Sequence, residues 1–302
     1  MRYINKIVIL SFFFILNPIS AQAVCEKFES IKKAFKEDNI ESVCELDLRN
    51  QNLNALPDNI GSLVNLEILH VENNKLTSLP ESIAYCKKLV RVHLDNNAFT
   101  VFPEVLLFSE HLEKLSMNNN GLTTLPQTFG KLKHLKYLSL MNNQLTTLPK
   151  QIGKLKKLNY LNLISNDLTE LPPNLYDMNQ LENLYLGSND QLKIADDIYE
   201  MRRLVRLSLS GIGLEKISTE IKNLKNLKWL SISSNKLEKL PDEICELKEL
   251  EALFIGFNHI TKLPAKFEEL KKLKKISLAD LDLGTTIENE IRNAFPEAEI
   301  EF

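Results

Sequence analysis

From Val43 onward one apolar slot returns every 23 residues: Val43, Leu66, Leu89, Leu112, Leu135, Leu158, Leu181, Leu204, Leu227, Leu250 and Leu273. A fixed period of this size marks a stacked array, because one such unit cannot bury its own apolar side chains and only its neighbours can do so. The fifth unit shows the inner logic. Around Leu138 and Leu140 the leucines alternate, which makes a short strand with one buried face. Asn143 follows in a slot where an amide side chain can turn the chain and bond the backbone beside it. The same slot holds Asn74, Asn97, Asn120, Asn166, Asn189, Asn235 and Asn258. Leu148-Pro149 then closes the strand region, since Pro cannot donate to a ladder. Ile152 and Leu155 are spaced for a short helical or 3-10 turn on the back.

Written out, that unit is Leu135-x-x-Leu138-x-Leu140-x-x-Asn143-x-Leu145-x-x-Leu148-Pro149-x-x-Ile152-x-x-Leu155. It resembles the leucine-rich repeat family in its 23-residue form, found in bacterial secreted proteins and Ras-suppressor-like proteins. Eleven such units cover residues 43–284. The expected fold class is α/β: a curved, horseshoe-shaped solenoid with a parallel β-sheet on the concave side and short helical or 3-10 turns on the convex side. Residues 24–42 read as a helical N-terminal cap, with Phe28, Ile31 and Phe35 on one helical face. Residues 285–302 read as a C-terminal cap that resembles those of bacterial relatives. Thr285-x-x-Glu288 is a capping box, Ile287 and Ile291 share a helical face, and Ala298, Ile300 and Phe302 alternate as a last strand. With both ends capped, no appended catalytic domain is expected.

Residues 1–23 read as a signal peptide: Arg2 and Lys6, an apolar run from Ile7 to Leu16, a break at Asn17-Pro18, and small residues at Ala21 and Ala23. That run is too short for a bilayer span, which needs about 20 residues. The expectation is an extracytoplasmic protein, secreted, periplasmic or on the cell surface, with no transmembrane span. None of its 30 Asn begins an Asn-x-Ser/Thr acceptor, which favours a bacterial source. Loss of Arg2 and Lys6 takes the net charge from −3 to −5, so nucleic acid is not the expected partner. In an oxidising compartment Cys25 and Cys44 are candidates for a disulfide that ties the cap to the first strand, whereas Cys86 and Cys245 lie too far apart to join.

The residues between the strand leucines point outward from the sheet in columns. The middle and C-terminal units present Tyr137, Met141, Tyr160, Ile164, Tyr185, Arg206, Trp229, Phe254 and Phe257 there. Aromatic residues and Arg dominate interface hot spots, so these nine are the expected partner-binding residues. The N-terminal third is charged instead. Asp47, His70 and His93 share one slot in successive strands, and a metal could be shared there with Asp47, Glu72 or Asp95 completing the set. Solvated polar pairing is the preferred reading of that cluster, so no metal and no cofactor are expected. His111, His134 and His259 fall at turns. Lys131, Lys133, Lys154, Lys156, Lys157, Lys271 and Lys272 read as a solvated face.

With only nine Gly, and no GxSxG, HExxH, P-loop or GxGxxG, nothing points to an enzyme. The expected function is non-catalytic recognition of a protein ligand by a monomeric solenoid. Two alternatives stand behind it: a metal-dependent hydrolase built on His70 and His93, and an envelope component that binds glycan or lipid through lysines. In units seven and eight the pattern breaks. An apolar slot comes one residue late at Leu192, Asp196 and Ser218 replace Pro, and Ile212 replaces the Asn between Gly211 and Gly213. A kinked or widened turn is expected there.

Overall fold

A computed structural model describes residues 25–36, 38 and 40–302; the expected signal peptide lies outside them. The described residues form one parallel sheet of thirteen strands in sequence order. They are β1 (Glu26–Phe28), β2 (Val43–Asp47), β3 (Ile68–His70), β4 (Arg91–His93), β5 (Lys114–Ser116), β6 (Tyr137–Ser139) and β7 (Tyr160–Asn162), then β8 (Asn183–Tyr185), β9 (Arg206–Ser208), β10 (Trp229–Ser231), β11 (Ala252–Phe254), β12 (Lys275–Ser277) and β13 (Glu299–Glu301). From β2 to β12 the register steps by one repeat at every pair, as in Leu138↔Leu161, so equivalent side chains stand in columns. The Ile-x-x-Leu segments form 3-10 turns such as Lys150–Lys154 on the back. One of them tightens into an α-helical turn, α2 (Pro173–Tyr176), where Pro173 occupies a first-turn position that needs no N–H. The leucines of all units merge into one core from Phe28 to Phe295.

Two recurring backbone devices hold the coil. The Asn slot is the first. Asn143 Nδ2 donates to Leu140 O (3.0 Å) in its own turn and to Met117 O (2.9 Å) one repeat back. Its Oδ1 accepts from the Leu122 N–H at 3.0 Å. Asn166, Asn189, Asn235 and Asn258 repeat this arrangement, and all of them are buried. Buried amides and carbonyls at each turn are thereby paired, which removes a desolvation penalty. The second device is the residue just before that Asn, which adopts a left-handed backbone. The slot runs Asn50, Asn73, Asn96, Asn119, Asn142, Ser165, Ser188, Gly211, Ser234, Phe257 and Asp280, with φ between 53° and 63°. Asn, Asp and Gly tolerate that region best, which accounts for the Asn-Asn pairs of the early units.

The two irregularities of units seven and eight are one event. Ile212 has no amide to reach the N–H 21 residues back, at Gln191. The extra residue there lets the chain close its own turn, Leu192 N–H to Asn189 O at 2.9 Å. Between the two units opens a groove of about 710 Å³ lined by Leu192, Ile194, Tyr199, Ile212 and Ile217. Where Pro is missing, the Ser218 hydroxyl accepts from the Glu220 N–H and starts the next 3-10 turn.

The caps differ in detail from the expectation. At the N-terminus a strand precedes the helix: Phe28 is buried on β1, which pairs with β2, and α1 (Ile31–Ala34) is a single turn. A disulfide joins Cys25 to Cys44 across a Cα separation of 5.3 Å. At the other end, α3 (Gly284–Ala294) turns in at Gly284 (φ 75°), so Thr285 lies inside the helix and the capping box does not start it. Ile291 and Phe295 close the core, and β13 covers the edge of β12 through Ile276↔Ile300. Each cap thus adds a strand of its own to the sheet.

Candidate functional site

The strands hold the predicted aromatics in columns, and five of the rings touch in series. Tyr137 and Tyr160, in register on β6 and β7, stack at 4.2 Å between ring centroids with planes 13° apart. Tyr160 meets Tyr185 at 5.3 Å, Tyr185 meets Trp229 at 5.9 Å, and Trp229 meets Phe254 at 5.3 Å. Tyr185 and Trp229 stand on strands that are not neighbours; small Ser208 on the intervening β9 leaves room for their rings to meet. All five rings are half-buried, each exposing part of its surface on the concave side. Contacts of this kind contribute about 0.5–1.5 kcal/mol per pair beyond area burial, so the ladder is ordered before anything binds.

Charge lies at one end and beside the middle. Lys114 Nζ sits 4.8 Å from the centre of the Tyr137 ring, a cation–π contact that caps the ladder. Arg206 is exposed beside Tyr185 and Trp229. Burial, and then the neighbouring Tyr137, push the Tyr160 hydroxyl up to about 12, so it remains a neutral donor at physiological pH. Burial also raises the Tyr185 hydroxyl, with the Arg206 guanidinium pulling the other way. Lys114 was legible as the residue one repeat before Tyr137 in the same column.

The remaining predicted residues lie outside the ladder. Met141 and Ile164 are half-buried four residues after Tyr137 and Tyr160, where the strand runs into the turn. Phe257 stands on the turn itself, 55% exposed and with φ 57°. The sequence reading did not anticipate a second apolar area on the convex side, where Tyr85 and Phe108 occupy one slot of successive units and are both exposed. Nor are all the turn histidines isolated: His111 and His134 meet edge to face at 5.9 Å. The lysine face is partly neutralised across repeats, as in Lys272–Glu249 (2.6 Å) and Lys136–Glu113 (2.7 Å).

In the N-terminal third the expected trio divides. Asp47 is buried and engaged by Arg49 Nε (2.8 Å) and Lys27 Nζ (2.8 Å), which hold its carboxyl well below the usual range. Although Asp47 is in register with His70, its carboxylate is taken up by these cations, and Glu72 is the carboxylate that lies with the imidazoles. The His70 and His93 rings stack in register at 4.6 Å. Glu72 Oε1 lies 3.1 Å from His70 Nδ1. Burial pushes the Glu72 carboxyl up, but the hydrogen bond from His70 and the adjacent charges outweigh it and leave it lowered. Burial lowers His93, and His70 lowers it further. Cys86 and Cys245 are free, buried and pushed up to about 11 by burial, so neither is poised as a nucleophile.

Thirteen parallel strands, the turn Asn ladder and the 3-10 backs define a leucine-rich repeat protein. Family models described as leucine-rich repeat region (residues 117–232 and 191–293) and leucine-rich repeat (87–145 and 65–86) match the sequence, and the chain belongs to that family. No curated protein matches it. Among solved structures, a leucine-rich repeat protein of Leptospira interrogans is 27% identical with a TM-score of 0.55, over 92% of this chain and 100% of that one. An internalin of Listeria monocytogenes is 19% identical with a TM-score of 0.71, over 88% and 76%. The Arabidopsis receptor kinase HAESA, in complex with the peptide hormone IDA and the co-receptor SERK1, is 23% identical with a TM-score of 0.68, over 78% and 43%. The last two share the fold. Among the described residues no helix is long and apolar enough to cross a membrane.

Proposed function

We propose that this chain is an extracytoplasmic, non-catalytic protein-binding module that takes a polypeptide partner on its concave face between β5 and β11. The observation that carries the reading is the continuous ladder Tyr137–Tyr160–Tyr185–Trp229–Phe254. Half-exposed rings held on a rigid sheet lose little entropy when a partner covers them, so apolar burial is converted to affinity efficiently. Lys114 and Arg206 favour a partner with acidic side chains flanking its apolar contact. A peptide complex of HAESA, a protein of the same fold, supports a solenoid of this kind as a peptide receptor. Met141, Ile164 and Phe257 extend the contact towards the turn edge. The protein acts as a monomer with no cofactor in this role, and residues 1–23 act as a leader removed after Ala23.

Affinity capture with the purified mature protein tests the reading. Trp229→Ala and Tyr160→Ala should each cost about 2 kcal/mol or more of affinity for the captured partner, the range of a hot spot. Binding unchanged in both variants would sink it. N-terminal sequencing of secreted protein tests the leader: a mature chain that still begins at Met1 rules out export through residues 1–23.

A further inference from the structure

The polar end of the concave face holds a cluster unrelated to the aromatic ladder. His70, Glu72 and His93 each bring one ligand-type atom to within 4.8 Å of the others. Three features give this cluster a direction. Glu72 Oε2 is fully buried and has no hydrogen-bond partner. A carboxylate oxygen stripped of water and left without a donor is costly, and a cation is what satisfies it. Second, the imidazoles are oriented by partners of their own. The Ser116 hydroxyl donates to Asp95 Oδ2 at 2.5 Å, so towards His93 Nδ1, 3.1 Å away, it can only accept. Nδ1 of His93 therefore carries the proton and Nε2 presents a lone pair. Such a carboxylate relay behind a histidine is the usual way a metal-binding tautomer is fixed. His70 is set in the same manner, its Nδ1 donating to Glu72 Oε1 at 3.1 Å. Third, the two rings face each other at 4.6 Å with planes 9° apart. The stack holds both imidazoles on adjacent strands with Glu72 against the first of them.

We propose that His70, Glu72 and His93 form a site for one divalent transition-metal ion of the zinc class. Two imidazoles and one carboxylate are the donor set of zinc, copper or nickel, whereas calcium and magnesium take oxygen alone. Atoms bound to tetrahedral zinc at about 2.0–2.1 Å lie roughly 3.3 Å apart, so the widest separation must close by about 1.5 Å. Side-chain rotation supplies this, since β3 and β4, which carry the two histidines, are fixed in register. Three protein ligands leave a fourth position open towards the concave hollow. The site is independent of the aromatic ladder, which starts two strands further on.

Calorimetric titration of the chelator-treated protein with Zn²⁺ alone, near neutral pH, tests this. The parent should bind one equivalent and melt at a higher temperature with Zn²⁺ present, because the ion binds the folded state. His93→Ala and Glu72→Gln should each weaken binding at least about tenfold, the lower bound for disturbing a metal's surroundings. His134→Ala, at the His111–His134 pair, should change nothing, and excess Mg²⁺ or Ca²⁺ should not compete. Circular dichroism and melting of the metal-free variants keep a folding defect distinct from a lost ligand. Co²⁺ absorption of the parent gives a readout free of any substitution: intense visible bands of a four-coordinate ion are expected. No binding by the parent at near-stoichiometric Zn²⁺, equal binding by His93→Ala, or loss in His134→Ala instead would overturn the assignment.

Discussion

Phe257 occupies a backbone slot that the other units fill with Asn, Ser, Gly or Asp. A left-handed backbone costs a bulky side chain about 1–2 kcal/mol, and Phe257 recovers little of it, since more than half of its surface faces solvent. Such strain persists where a side chain serves something other than the fold. Phe257→Asn should therefore raise stability by about 0.5–1 kcal/mol in chemical denaturation while weakening partner binding. A destabilised variant would show that the ring supports the fold after all. Asp47 makes the opposite case, a polar residue that stabilises from a buried position. Its carboxyl is held below its unfolded value of about 3.9, so its pairing with Arg49 and Lys27 is fully present above that pH and is lost as pH falls through the folded value. Asp47→Asn should cost about 1–2 kcal/mol at neutral pH. The gap in melting temperature between parent and variant should narrow as pH drops below about 4.

At the scale of one repeat, the turn Asn matters more than any single leucine's local contacts, because it serves two units at once. Asn143→Ala would leave Leu122 N–H and the Met117 carbonyl without their partner in a buried turn, while Leu140 O keeps its bond from Asn166 Nδ2 at 3.0 Å. At about 1–3 kcal/mol for each buried group left unpaired, with partial relaxation, the loss should be near 3 kcal/mol. Unit eight shows how the coil does without this device: Ile212 fills the space with apolar volume and the longer turn at Asp190–Gln191 closes itself. Ile212→Asn should accordingly give no gain, because Gln191, whose N–H it would serve, is exposed to water and the turn already closes through Leu192 N–H. Equilibrium unfolding of the two variants checks both; a stabilised Ile212→Asn would mean that unit eight lacks a bond it could use.

Across the whole molecule, each unit packs chiefly against its neighbours, so stability passes along the stack and the ends set where it frays. The Cys25–Cys44 disulfide ties the outermost strand to the first repeat. For a loop of this length the chain-entropy model gives about 3 kcal/mol. Replacing both cysteines by Ser should leave the central repeats protected in hydrogen exchange while amides of β1 and β2 exchange first. Uniform loss of protection along all thirteen strands would instead mean that the solenoid unfolds as a single cooperative unit.

The sequence by itself determined the architecture. A period of 23 with alternating leucines admits one stacking solution, and it places every column residue before any coordinate is known, including Tyr137 beside Tyr160 and His70 beside His93. Columns are legible because neighbouring strands keep one register throughout, so sequence spacing and spatial order coincide. What lies between columns was decided by the tertiary structure. Tyr185 reaches Trp229 across β9 only because side chains lean into the space above Ser208, and no spacing encodes that lean. Of the three carboxylates the sequence offered beside the histidines, Asp47 is taken up by Lys27, which arrives on a cap strand outside the repeat where the period gives no register. The caps were legible as apolar patterns but not in their exact elements, since a few residues of alternating pattern suit a strand or a helical turn equally well until the open edge of the sheet selects one.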